Sequence, residues 1–402
     1  MPFVVDFAPK TKQVFTTPRC ALCGIYRKCK SPKMEVSGKG IRKILIVGEA
    51  PGKDEDNQNE QFVGVTGQYQ EDSLEQLGIN MRRDCWLTNS LICRPPGNAT
   101  PTSEQISYCY PNLSKTIREL KPNVIITVGR AALESILTEI WEDEIGPMGR
   151  WVGWKIPCQK YNCWICPTYH PSFVLRELEY TKSKSPIREI YMSQLKAATR
   201  LRKKPYKKIP NYEGQIEVLY DQNKIAGILD TFVAYDWPIS FDYETDTLKP
   251  DKDGQIITAS VCCNGKRTIA FPWAGDRVKN AWIQLLTSKC KKIGFNSKFE
   301  DRWTRSKLGI EINNWVCDSM VDAHLLDCRR GICSLGFQAF VQLGFGNYYS
   351  QISPFLEQKS SYDFNNIKKA DLNKLLVYNG LDSLLNFLIA RKQRKQLGLE
   401  PL

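Results

Sequence analysis

Lys43-Ile44-Leu45-Ile46-Val47-Gly48-Glu49-Ala50-Pro51-Gly52 is an apolar run that breaks into a glycine-rich turn carrying a carboxylate. An apolar run without polar alternation reads as a strand buried on both faces, the habit of parallel sheets. The pattern recurs downstream. Cys85-Trp86-Leu87-Thr88 leads into Asn89, and Val124-Ile125-Ile126-Thr127-Val128 runs into Gly129 and a helix-like stretch from Arg130 to Leu137. Trp164-Ile165-Cys166-Pro167-Thr168 delivers His170, with Pro167 predicting that this strand ends early, because proline cannot donate to a ladder. Helical patterns run from Gln68 to Leu77 and from Thr102 to Leu120, the latter opened by a Thr102 and Gln105 capping box. Strands alternating with helices predict an α/β fold with an open, mostly parallel sheet covered on both faces. Ligands bind such sheets beyond the carboxyl ends of the strands. Glu49, Asn89 and His170 each follow a strand end and are expected to converge on one crevice.

Thiols surround that stretch. Cys20 and Cys23 form a CxxC, and Cys93 and Cys109 stand sixteen residues apart. Fifteen cysteines in a chain of 402 residues without a secretory signal point to reduced thiols, some of them metal ligands, rather than to a disulfide framework. An iron-sulfur cluster and a zinc ion are both open to four thiolates. Cys158, Cys163 and Cys166 read as buried thiols beside the last strand. The net charge of +13 comes with only two histidines, so it is a permanent Lys/Arg excess that attracts polyanions, nucleic acid first among them. Met1-Pro2-Phe3-Val4-Val5-Asp6 lacks the plan of a signal peptide, and no apolar run reaches membrane-span length; a cytoplasmic protein is expected.

The motifs GEAPG (48–52), FVG (62–64), TNSLICRPPGN (88–98), Cys109, KPNVIITVGRAA (121–132) and HPSFVLR (170–176) occur in the order and spacing of the family 4, iron-sulfur uracil-DNA glycosylases, which residues 15–200 resemble. The resemblance implies a [4Fe-4S] cluster on Cys20, Cys23, Cys93 and Cys109, Phe62 as the aromatic that stacks on a flipped base, and His170 as the donor to the uracil carbonyl. It gives Asn89 the reading of uracil's edge, since a carboxamide both donates and accepts. Glu49, Glu55 and Asn98 share the handling of the attacking water and of the sugar cation. The sequence departs from the family at Asn59 (usually Gly), Gln61 (usually Pro), Val65 and Ala99 (usually Arg), which weakens phosphate contacts and keeps open a non-catalytic module that only holds DNA or uracil.

From Glu177 to Pro210 the chain turns basic, with Ile187 to Leu201 expected as a closing helix; domains of 1–205 and 206–402 follow. In the second half, Pro238 to Thr245 is a strand whose Asp242 and Glu244, two residues apart, leave the same face. Ile256 to Cys263 and Lys266 to Phe271, joined by Asn264-Gly265, make a hairpin. Asn296 followed by Glu300, and Tyr378 followed by Asp382 at i and i+4 of a helix, complete the order of the three motifs of DEDDy 3′-5′ exonucleases, the proofreading domains of family A DNA polymerases, phage ones especially; residues 212–395 resemble them. The resemblance implies an RNase H-like fold, with Asp242, Glu244, Glu300 and Asp382 holding two Mg2+ or Mn2+ ions and Tyr378 orienting the water. Glu300 stands where Asp is usual, which leaves the neighbouring Asp301 open as a ligand, and Asp318 and His324 read as structural. Roughly twenty residues remain after Asp382, too few for polymerase palm and fingers, so a polymerase, if one is involved, is a separate chain or lies outside this sequence. The combined expectation is a phage-like enzyme, active in the host cytoplasm, that excises uracil and degrades single strands or 3′ ends of DNA.

Overall fold

The apolar run forms β1 (Ile44–Gly48), and Ile44 to Val47 lose all contact with solvent. Each such burial is worth about 1.5–3 kcal/mol, so this strand is the centre of a core rather than an edge. The computed structural model describes residues 15–251, 253–360 and 363–402; the amino-terminal stretch 1–6 lies outside the described residues. Two units divide the chain, Met1–Ile209 and Pro210–Leu402.

In the first unit, β2 (Cys85–Asn89), β3 (Val124–Val128), β4 (Ile156–Cys158) and β5 (Cys163–Thr168) join β1 in the order β2-β1-β3-β5-β4. All pairs are parallel except β4 with β5. The register sets Gly48 beside Asn89, so the turn after β1 and the residue ending β2 leave the sheet together. Connections from β1 run to β2 on one side and then cross to β3 on the other, which opens a crevice at the carboxyl ends. The helix Ser103–Leu120 begins with the expected capping box, Thr102 accepting from the Gln105 amide and Gln105 from that of Thr102. The helix expected from Gln68 begins earlier, at Val65, and the closing helix is Ile187–Thr199, whose Tyr191, Leu195 and Ala198 cover the sheet. β5 does not stop at Pro167. β4 pairs β5 only from Cys163 to Ile165, and the Pro167 carbonyl turns to Gly153, so the ring nitrogen sits where no ladder partner is owed.

The second unit is a mixed sheet of β6 (Ile216–Val218), β7 (Ile239–Thr245), β8 (Ile256–Cys263), β9 (Arg267–Pro272), β10 (Lys292–Gly294) and β11 (Trp315–Asp318), in the order β11-β10-β7-β8-β9-β6. Asn264 and Gly265 turn the β8–β9 hairpin with φ of 52° and 62°, the left-handed pair that matches strand twist. Alternation divides β7: Phe241 and Tyr243 enter an aromatic core with Trp282, while Ser240, Asp242 and Glu244 face the long helix Leu372–Gln396. That helix is bolted to the sheet by Asn379, whose amide oxygen accepts from Thr258 and whose carbonyl accepts from Ser260, and by Asn386, which donates to Ser240. No helix among the described residues is long and apolar enough to cross a membrane.

Candidate active sites

In the first unit the sheet brings Glu49, Glu55, Phe62, Asn89, Asn98 and His170 onto one cleft, which Gly48 also lines. Ser90 ties the end of β2 to the turn after β1: its hydroxyl lies 2.9 Å from both the Gly48 and the Glu49 carbonyl, and its amide donates to Gly48. Side chains crowd Gly48 closely. A Cβ there would stand 2.3 Å from Asn89 Oδ1 and 2.9 Å from the tip of Phe62. Phe62 itself has φ of 57°, held by Arg82, which donates to the carbonyls of Gln61 at 2.6 Å and Phe62 at 2.9 Å.

The His170 ring is fixed by its place at the amino-terminal end of the helix Pro171–Tyr180, where Nδ1 accepts from the Ser172 amide at 3.1 Å and meets the Ser172 hydroxyl at 2.7 Å. A backbone N–H can only donate, so Nδ1 is bare and the neutral ring carries its proton on Nε2. Burial, with Arg176 adding to it, pushes the ring's pKa down to about 4, so His170 is uncharged at neutral pH. Burial alone raises the Glu49 carboxyl above its ordinary range.

Glu55 has a different position from an open base. Its Oε2 accepts from Gly52 at 3.0 Å and its Oε1 from Gly64 at 2.7 Å, so the carboxylate staples the carboxylate turn to the aromatic turn. Asn98 accepts from Arg94 Nε at 2.7 Å, and Arg94 also lies 3.7 Å from Asp56, which receives the amides of Lys30 and Ser31.

Cys20, Cys23, Cys93 and Cys109 line a second cavity with Ile25, Leu91 and Ile92. Among the described residues, no three of these sulfurs come within 4.8 Å of one another. Four thiols around an apolar space form a thiolate donor set that soft metal centres take. Burial pushes the Cys93 thiol up to about 12 and raises Cys23 and Cys109. A fifth thiol, Cys29, lies against Cys93 and was not singled out by sequence. Cys158, Cys163 and Cys166 are buried, as expected.

In the second unit, carboxylate oxygens of Asp242, Glu244 and Asp382 lie within 4.8 Å of one another. Glu300 stands outside that trio but its charge acts on theirs, and its Oε2 is buried without a protein partner. Asp301 turns away to Arg305 at 2.8 Å, and Asp318 caps the helix Ser319–Leu326 while accepting from the Asn296 and Ser297 amides. Burial, then mutual repulsion, raises the carboxyls of Asp242, Glu244 and Glu300 well above the usual range, and burial pushes Asp382 up to about 7. Uncompensated carboxylates this close repel, and an orphaned buried oxygen facing them matches the donor set of hard divalent cations. Tyr348 donates to Asp382 at 2.6 Å, Tyr378 lies one helical turn from Asp382 with its ring stacked on that of Tyr348, and Asn379 donates to Asp242 at 2.6 Å. Tyr348 and Asn379 carried no sequence signal, one lying in a loop and the other being a buried helix amide beside Tyr378.

Residues 38–193 match the uracil DNA glycosylase superfamily, and residues 216–397 match a 3′-5′ exonuclease family. A type-4 uracil-DNA glycosylase of Pyrobaculum aerophilum is 35% identical over 168 residues, covering 39% of this chain and 80% of that protein. One from Saccharolobus solfataricus is 33% identical over 162 residues, covering 39% of this chain and 73% of that protein. A DNA polymerase of Bacillus phage SP01 is 22% identical over 358 residues, which is 82% of this chain and 38% of the polymerase. The chain therefore belongs, through its first unit, to the type-4 uracil-DNA glycosylases, and it is an enzyme in which a 3′-5′ exonuclease domain is fused behind that glycosylase domain.

Proposed function

We propose that the protein is a bifunctional DNA-processing enzyme that excises uracil in its first unit and hydrolyses DNA from the 3′ end in its second. The observation that carries this reading is the convergence of Glu49, Phe62, Asn89 and His170 on one cleft, with a separate buried carboxylate group in the other unit. A flipped uracil stacks on Phe62 and is read by Asn89. His170 donates from Nε2 to the uracil carbonyl as the glycosidic bond breaks, and a neutral donor suits a leaving anion because it costs no proton transfer. Glu49 directs water to the sugar carbon, while Glu55 and Asn98 act as positioning residues that hold the turns around it.

Cys20, Cys23, Cys93 and Cys109 would hold a [4Fe-4S] cluster, whose contribution is mechanical: it ties the amino-terminal segment to the loop running from Asn89 to Asn98. Cys93→Ala is expected to lose most of the iron and sulfide of the purified protein and at least ten degrees of thermal stability; full iron content in that variant would remove Cys93 from the ligand set. Gly48→Ala is expected to lower uracil excision by about a hundredfold or more, because a misplaced base-reading group costs that much when displaced by an ångström. Steady-state excision by a variant with unchanged melting temperature checks it.

In the second unit Asp242, Glu244, Glu300 and Asp382 would hold two Mg2+ or Mn2+ ions, which when bound supply a deprotonated water and stabilise the leaving 3′ oxygen. Tyr378 orients that water, and Tyr348 and Asn379 hold Asp382 and Asp242 in place. The net charge of +13 and the similarity of 82% of the chain to a phage DNA polymerase support action on DNA beside a polymerase, with the cytoplasm as the place of action. EDTA is expected to stop nucleotide release from 3′ ends and to leave uracil excision intact; release that survives EDTA would overturn the metal-dependent reading.

A further inference from the structure

We infer that Gln61 sets which way round Asn89 presents its amide, and through that the choice of uracil over cytosine. The inference rests on the reading of uracil by Asn89 proposed above. An amide's oxygen and nitrogen have nearly the same shape, so their assignment depends on their partners. Here a chain of partners fixes both amides. The Glu35 carbonyl can only accept, and Gln61 Nε2 lies 3.1 Å from it. Gln61 Oε1 is therefore turned toward Asn89, and the atom it meets at 2.5 Å must be the donor, Nδ2. Asn89 Oδ1 then lies on the Gly48 side of the cleft.

Nδ2 keeps a second hydrogen, so Asn89 offers a donor and an acceptor side by side. That pair complements a pyrimidine edge with a carbonyl beside a ring N–H, which is uracil. Cytosine carries an amino group beside a bare ring nitrogen and needs the amide reversed. Reversal would put Asn89 Oδ1 against Gln61 Oε1 with no proton between them. Water offers little relief, because Gln61 is fully buried and Asn89 is 4% exposed. Gln61 cannot itself turn over without leaving the Glu35 carbonyl unpaired, and Arg82 pins its backbone at 2.6 Å.

Gln61→Leu removes the relay at similar volume, and Gln61→Glu preserves its polarity, since a buried protonated carboxyl donates to Glu35 and accepts from Asn89. The measurement is kcat/KM for excision of uracil and of cytosine from otherwise identical single-stranded oligonucleotides, in EDTA, beside Asn89→Ala. For Gln61→Leu the uracil-to-cytosine ratio is expected to fall at least about tenfold, through both slower uracil excision and faster cytosine excision, while Gln61→Glu keeps the wild-type preference. Should Gln61→Leu fail to fold, Gln61→Met carries the same expectation. An unchanged ratio in the leucine or methionine variant, with Asn89→Ala inactive, overturns the relay and leaves Asn89 as the base reader. Unchanged uracil excision in Asn89→Ala overturns the reading on which the relay rests.

Discussion

Asp242→Asn is expected to abolish nucleotide release from 3′ ends, a loss of at least about a thousandfold, while uracil excision stays within about twofold of the parent enzyme. Asp242 is one of the three carboxylates within 4.8 Å of one another, and it is the one that Asn379 holds from the long helix. The substitution preserves shape and burial, so the fold should survive. What it removes is a negative charge from the carboxylate group proposed to hold the cations, and it sets an amide nitrogen against Asn379 Nδ2 or forces the new amide to turn its oxygen there. In the first orientation a neutral amide oxygen replaces a carboxylate oxygen on the cation side, and in the second no oxygen of this residue faces that side. The measurement is nucleotide release from a 3′-labelled oligonucleotide in Mg2+ or Mn2+, with uracil excision by the same preparation in EDTA as its control. Loss of both activities would contradict two independent sites, and retention of both would remove Asp242 from the nuclease.

His170→Ala is expected to lower uracil excision by about a hundred- to a thousandfold, the usual effect of removing one donor to developing negative charge, with nuclease activity unchanged. The pH profile separates a donor from a general acid. His170 is neutral down to about pH 4, so the excision rate should show no histidine step across neutral pH and should fall only as the ring takes a proton on Nδ1 and must break from the Ser172 amide. The same shift enters stability. The folded ring binds protons less readily than the unfolded one, whose value is near 6.5, so its contribution is fully present above about pH 6.5 and is lost progressively as pH falls toward 4. An inflection near pH 6.5 that disappears in His170→Ala would contradict the neutral assignment.

Much of both sites is legible in the sequence because regular structure carries it. Asp242 and Glu244 share a face because strands alternate, and Tyr378 and Asp382 do so because a helix repeats; Glu49, Asn89 and His170 meet because parallel strands end together. What escapes is set by contacts between distant segments. Tyr348 reaches Asp382 from a loop 34 residues away. Gln61 reads in sequence only as a departure from the family's usual proline that keeps a non-catalytic module open, whereas in the fold it is wholly buried and bonded to Asn89. Pro167 predicts a strand end by a rule about ladders, and the rule does not apply because β4 has already stopped. Glu55 carries its chemistry in its surroundings: two turn amides occupy it, and no spacing reveals that they fold back onto it.

The central claim is most directly tested with anaerobically purified protein and a 5′-labelled oligonucleotide carrying one uracil, incubated in EDTA and then treated with alkali to break abasic sites. The account predicts a single cleavage product at the uracil, absent from an oligonucleotide with thymine in its place. Intact DNA from protein that retains its iron, and that still binds the oligonucleotide, would contradict it and make the first unit a DNA-holding module with the exonuclease as the chain's one catalyst.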